Sequence, residues 1–101
     1  MNKQWGIIAL CQKAGALVSG EFATMEAIKS GKAYLVLLAS DASANTKKKF
    51  TDKANYREIP VLEIGSSEEL GKAIGKGFRT SAAVIEPGFA QSIRRKMEEI
   101  V

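Results

Sequence analysis

The chain has 101 residues, a net charge of +4 and a pI near 9.3, so it holds one modest core and leans toward polyanionic partners. Hydrophobic residues make up 46% of it, which excludes intrinsic disorder, and no segment approaches the ~20 apolar residues of a membrane span. There is no histidine and a single cysteine, Cys11, which excludes a histidine-based catalytic triad, a zinc site and an internal disulfide.

Asn2 is placed to cap a first helix running to about Ala14, with Trp5, Ile8 and Ala9 on one side and Ile7, Leu10, Cys11 and Ala14 on the other. Two-sided apolarity predicts packing on more than one neighbour, with Cys11 a buried small hydrophobe. The apolar run from Gly6 to Cys11 is too short for a secretory signal, so the expected setting is reducing and cytoplasmic. Gly15 ends the helix, and Ala16 to Ser19 form a short strand. Gly20 opens a second helix to about Ser30, with Glu21 favourably placed in its first turn and Phe22, Met25 and Ile28 recurring at three-residue spacing. Tyr34 to Ala39 is a nearly continuous apolar run, as in a central strand covered on both faces.

Asp41 or Ser43 starts a third helix, to about Asn55, with Phe50 and Ala54 facing inward. Its cations Lys47, Lys48, Lys49 and Lys53, with Arg57 just beyond, are a further candidate contact, set against the favoured reading of a solvated face in which Lys48 pairs with Asp52. Pro60 precedes a strand from Val61 to Ile64. Ser66 and Glu69 form a capping-box pattern ahead of Leu70, Ala73 and Ile74. A strand at Ala82–Glu86 and a last helix from Pro87, with Phe89, Ile93 and Met97 on its inner stripe, complete the series. About four strands alternating with helices predict one α/β domain over residues 1–101, a three-layer αβα sandwich on a mixed sheet.

The loop between the fourth helix and the last strand carries most of the chemistry. Gly75-Lys76-Gly77-Phe78-Arg79-Thr80 combines backbone freedom, two cations and an aromatic ring. It is not a nucleotide-binding P-loop. The glycine spacing is wrong, and a helix leads into the loop instead of following it. Two readings stay open on composition alone: a nucleic-acid contact, or a flexible turn with Phe78 tucked into the core. The start of the Gly20 helix offers free amides, as nearly every helix does. No convergent carboxylate pair, cofactor motif or metal-ligand set points to an enzyme.

Four segments in register carry a resemblance: VSGE at 18–21, AIKSGKAYLVLLASDAS at 27–43, NTKKKFTDKANY at 45–56 and LGKAIGKGFRTSAAVIEPGF at 70–89. From about Gln4 to Ile93 the chain resembles the kink-turn RNA-binding ribosomal-protein superfamily, most closely its small bacterial YlxQ-type members. The resemblance implies a non-enzymatic RNA-binding protein of translation, without cofactor or metal. Its partner would be a kinked or internal-loop structured RNA, ribosomal or other, with the ribosome as one setting. It implies an RNA surface at three loops: Ser19, Gly20 and Glu21; Asp41 and Ser43; and Lys76, Gly77, Phe78, Arg79 and Thr80. The family's pattern after the glycine is Thr-Asn-Glu-x-x-Lys, and this chain has Glu21, Phe22, Ala23 and Glu26 there. The family's base-reading side chains are therefore absent. This departure keeps a second reading alive, a protein-interaction module on the same fold.

Overall fold

The computed structural model describes residues 3–100. The elements run α1 (Lys3–Lys13), β1 (Leu17–Ser19), α2 (Glu21–Lys29), β2 (Leu35–Ala39), α3 (Ala44–Tyr56), β3 (Val61–Ile64), α4 (Ser67–Ala73), β4 (Ser81–Val84) and α5 (Pro87–Ile100). The expected cap Asn2 lies outside the described residues.

The four strands form one mixed sheet in the order β1-β4-β2-β3. β4 is antiparallel to both β1 and β2, whereas β2 and β3 are parallel. β2 is buried along its whole length, as its unbroken apolar run predicts. Alternate side chains serve two cores. Leu35 and Leu37 join Leu17, Ala82 and Val84 on the face covered by α1, α4 and α5, where Ile8, Cys11, Leu70 and Ile93 are buried. Val36, Leu38 and Ala83 point the other way, onto Ala27 and Ile28 of α2 and Phe50 and Ala54 of α3. The molecule is thus a three-layer αβα sandwich. Each fully buried Leu, Ile or Phe contributes about 1.5–3 kcal/mol of transfer free energy.

Helix boundaries follow local chemistry. Ser43 Oγ accepts a hydrogen bond from the Thr46 amide at 3.1 Å and starts α3. Ser66 and Glu69 form the reciprocal capping box of α4, at 3.0 and 2.9 Å. Two expectations for packing are corrected. Phe22 is 81% exposed, and α2 buries Thr24, Ala27 and Ile28 instead. Three-residue steps fall short of a full helical turn, so Phe22 is rotated well away from Ile28. Leu10 and Ala14 of the first-helix segment are likewise exposed, because α1 buries the side carrying Trp5, Ile8 and Cys11.

Two glycines are required by close approach. A Cβ on Gly71 would lie 2.0 Å from the Gly77 carbonyl oxygen, because the loop after α4 folds back onto the helix. The Lys76 amide seals that fold with a 2.8 Å bond to the Gly71 carbonyl, and Gly75 makes the reversal at φ +71°. At Gly65 a Cβ would meet the Trp5 ring at 2.5 Å. Burial pushes the Cys11 thiol up to about 11, with Glu86 adding a smaller repulsion.

Two outcomes are expected. Gly71→Ala should lower unfolding free energy by about 1–3 kcal/mol, the usual range for overpacking, as measured by urea denaturation. Because the folded Cys11 pKa is raised, its protonated form stabilises the fold fully below the ordinary thiol pKa, and that contribution is lost as pH rises from about 9 toward 11. The urea midpoint of the wild type should therefore fall more steeply over that interval than that of Cys11→Ala; parallel curves would refute it.

Candidate nucleic-acid interface

Strand directions bring the predicted loops to one edge of the sheet. β1, β2 and β3 end there and β4 begins there, since β4 runs against β1 and β2. The junctions β1–α2, β2–α3, β3–α4 and α4–β4 therefore share a rim.

Arg79 ties this rim together. Its Nε donates to Ser19 Oγ at 3.2 Å, its Nη1 to the Phe78 carbonyl at 3.0 Å, and its backbone amide to the Ser67 carbonyl at 3.1 Å. The guanidinium lies against Gly20, where a Cβ would stand 4.0 Å from Nε. Its remaining N–H donors are available to an anion. Next to it, the Gly20 amide bonds the Ser81 carbonyl at 3.0 Å, and the Ala39 amide bonds the Thr80 carbonyl at 2.9 Å. These backbone bonds hold the start of α2 and the end of β2 on either side of the loop.

Gly20 occupies φ +96°, a conformation that L side chains rarely adopt, and it offers α2 no side-chain cap. The first amides of α2, without intrahelical partners as at any helix start, receive no cap from the Gly20 side. Glu21 is exposed in that first turn, and its carboxylate is held by Lys49 of α3. Phe78 is 71% exposed, so the ring is outside the core rather than tucked into it. Lys76, Gly77 and Thr80 are exposed around it. The Gly77 carbonyl packs on Gly71, so this glycine is a structural support of the loop as well as part of its surface.

Asp41 has a structural duty. Its carboxylate accepts from the Ser67 amide at 2.9 Å and the Ser67 hydroxyl at 3.1 Å. The Ser67 carbonyl in turn takes the Arg79 amide, so Asp41 holds the arginine loop through one intermediary. Ser43 is spent on the α3 cap and also donates to Thr46 Oγ1 at 3.0 Å. The structure thus joins Ser19, Asp41 and Arg79 through direct or relayed hydrogen bonds, with Gly20 packed beside the guanidinium and Thr80 bonded to Ala39. Ser67 was missed by the sequence reading, and Lys49 was named only as one of a cluster of cations, without its pairing to Glu21. Ser67 follows a capping serine and looks like ordinary helix-start chemistry, and Lys49 is indistinguishable from its neighbours until α2 and α3 are packed.

A four-stranded mixed sheet between two helical layers, with its loop junctions gathered at one rim, defines the chain as a small three-layer α/β sandwich protein. The structure of the Giardia lamblia 15.5kD RNA binding protein shares this fold with a TM-score of 0.77, over 96% of this chain and 86% of that one, at 22% identity. The chain belongs to the ribosomal protein L7Ae/L30e/S12e/Gadd45 family, whose model matches residues 6–93. It is 42% identical over 87 residues to the RNA-binding protein YlxQ of Bacillus subtilis, covering 86% of this chain and 87% of that protein. A solved structure of a protein of unknown function from Bacillus halodurans C matches with a TM-score of 0.93 and 35% identity, over 97% of this chain and 99% of that one. Among the described residues no cluster of metal-ligating side chains occurs, and no helix is long and apolar enough to cross a membrane.

Removing the Asp41 carboxylate should loosen the arginine loop without unfolding the protein. Asp41→Ala is expected to cost about 1 kcal/mol, in the range for a net hydrogen-bond loss. Amide hydrogen exchange should accelerate at Ser67 and Arg79, as read by NMR; unchanged protection at both would contradict the relay.

Proposed function

We propose that this chain is a non-enzymatic RNA-binding protein of the translation apparatus, recognising a kinked or internal-loop RNA through the rim that Arg79 ties together. Residues 1–101 act as a single domain in this reading, and the cytoplasm is its setting. The observation that carries it is the placement of Phe78 and Arg79. An exposed ring stands beside a guanidinium that is anchored to Ser19 at the end of β1 yet keeps unused donors. Such a surface suits an irregular RNA, because the major groove of a regular A-form helix is too narrow for side chains to enter. Phe78 packs on a sugar or a splayed base, worth about 1–3 kcal/mol per stacked base. Arg79 and Lys76 neutralise phosphates, and Gly20 and Glu21 sit at base edges. The names of the relatives and of the family, RNA-binding and ribosomal, support the same reading.

A second reading has one specific observation in its favour. Phe22, at the position of a family base reader, is almost fully exposed and borders an apolar groove with Val18, Ala23 and Ile85. A protein partner would cover that surface without any RNA. Pull-down with and without ribonuclease separates the two: a partner set indifferent to digestion favours the interaction module.

Binding to a kink-turn RNA should exceed binding to the same RNA with its internal loop paired, and equal weak affinity for both would sink structure-specific recognition. Arg79→Ala should weaken binding and reduce the slope of log affinity against log salt by about 1. An unchanged slope would remove Arg79 from the contact set.

A further inference from the structure

Packing divides the cations on and just beyond α3 into three groups. Lys47 pairs with Glu63 at 3.3 Å and Lys48 with Asp52 at 2.7 Å, so both are engaged by nearby carboxylates. The Asp52 hydrogen bond also raises the Lys48 pKa. Lys49 reaches across to Glu21 at the start of α2 and so belongs to the rim. Lys53 and Arg57 have no ion-pair partner among the described residues, and both are exposed.

Lys49, Lys53 and Arg57 follow one another at four-residue steps, which places them on one stripe of the helix surface with Cβ atoms about 5–6 Å apart. That is the scale on which neighbouring phosphates repeat along one nucleic-acid strand. Tyr56, 85% exposed, stands beside the stripe and offers a hydroxyl. α2 and α3 both start at the rim and run to the opposite edge of the sheet, so the stripe leads away from Glu21 without interruption. Lys29, exposed in the last turn of α2, adds positive charge at the far end of the same layer.

We propose that Lys53 and Arg57 form a phosphate-binding track along α3, continuing the line of Lys49 at the rim and taking the backbone of a duplex arm that flanks the RNA element held there. The proposal rests on the RNA-binding reading and extends it from the loops to the outer face of one helical layer. The rim selects an irregular element by shape. The track adds affinity that is insensitive to sequence and sensitive to salt, as phosphate contacts are.

The test compares two probes: a kink-turn RNA carrying a duplex arm of one full helical turn, and the same RNA trimmed to its closing pairs. Lys53→Ala/Arg57→Ala should reduce the salt slope by about 2 on the long-arm probe and leave binding to the trimmed probe nearly unchanged. Arg94→Ala/Arg95→Ala, on α5 in the opposite layer, removes the same net charge and should leave the long-arm slope close to that of the wild type. An unchanged slope for the α3 variant overturns the track. So does an equal loss in the α5 variant, since net charge alone would then account for it. Wild-type protein that binds neither probe refutes the RNA-binding reading itself, and the track falls with it.

Discussion

The contact between Gly71 and Gly77 is the constraint on which the rim depends. A loop that leaves a helix and returns to a strand must reverse sharply, and here it does so by laying a carbonyl directly on helix backbone. Only a residue without a side chain permits that approach. Once the Lys76 amide has closed the reversal, Phe78 stands outward and the Arg79 amide reaches Ser67. The arginine side chain then finds Ser19, and the two walls of the rim become one surface. Packing beneath the loop and chemistry above it are consequences of the same missing Cβ.

Element order and architecture were legible in the sequence because their signals are local. The apolar run of β2, the capping box at Ser66 and Glu69 and the Ser43 cap each announce themselves within a few residues. The inner stripe of α5 was read correctly for the same reason: Ile93 is buried, with Phe89 and Met97 packed against the core. Phe22 and Leu10 were misread because hydrophobicity says nothing about which side of a helix meets the sheet. The role of Asp41 was hidden for a different reason. Its partner Ser67 is 26 positions away, and no periodicity encodes a bond between two loops. The family resemblance marked Asp41 as part of an RNA surface, and the geometry shows a carboxylate already occupied by protein donors.

Charge follows the same division between local and long-range effects. A run of lysines in a sequence is one feature; in the folded chain it is several. Two of the lysines are neutralised by carboxylates of α3 and β3, one is bound to the start of α2, and the remaining cations face solvent. Net charge of +4 therefore understates how unevenly positive potential is distributed over the surface. The arrangement leaves Glu21 partly neutralised beside an uncapped helix start, a place where an isolated carboxylate would repel phosphate.

The order of the sheet has a consequence for the molecule in a crowded cell. The two long-paired strands, β2 and β4, are interior, and the strands left at the margins are β1 and β3. β1 spans three residues, and β3 is preceded by Pro60 and carries the exposed Glu63. A short margin and a charged one are poor templates for adding a strand from another chain. A protein that gathers four loop junctions on one rim can thus expose them without also exposing an adhesive sheet. Strand addition at either margin is disfavoured by strand length and charge.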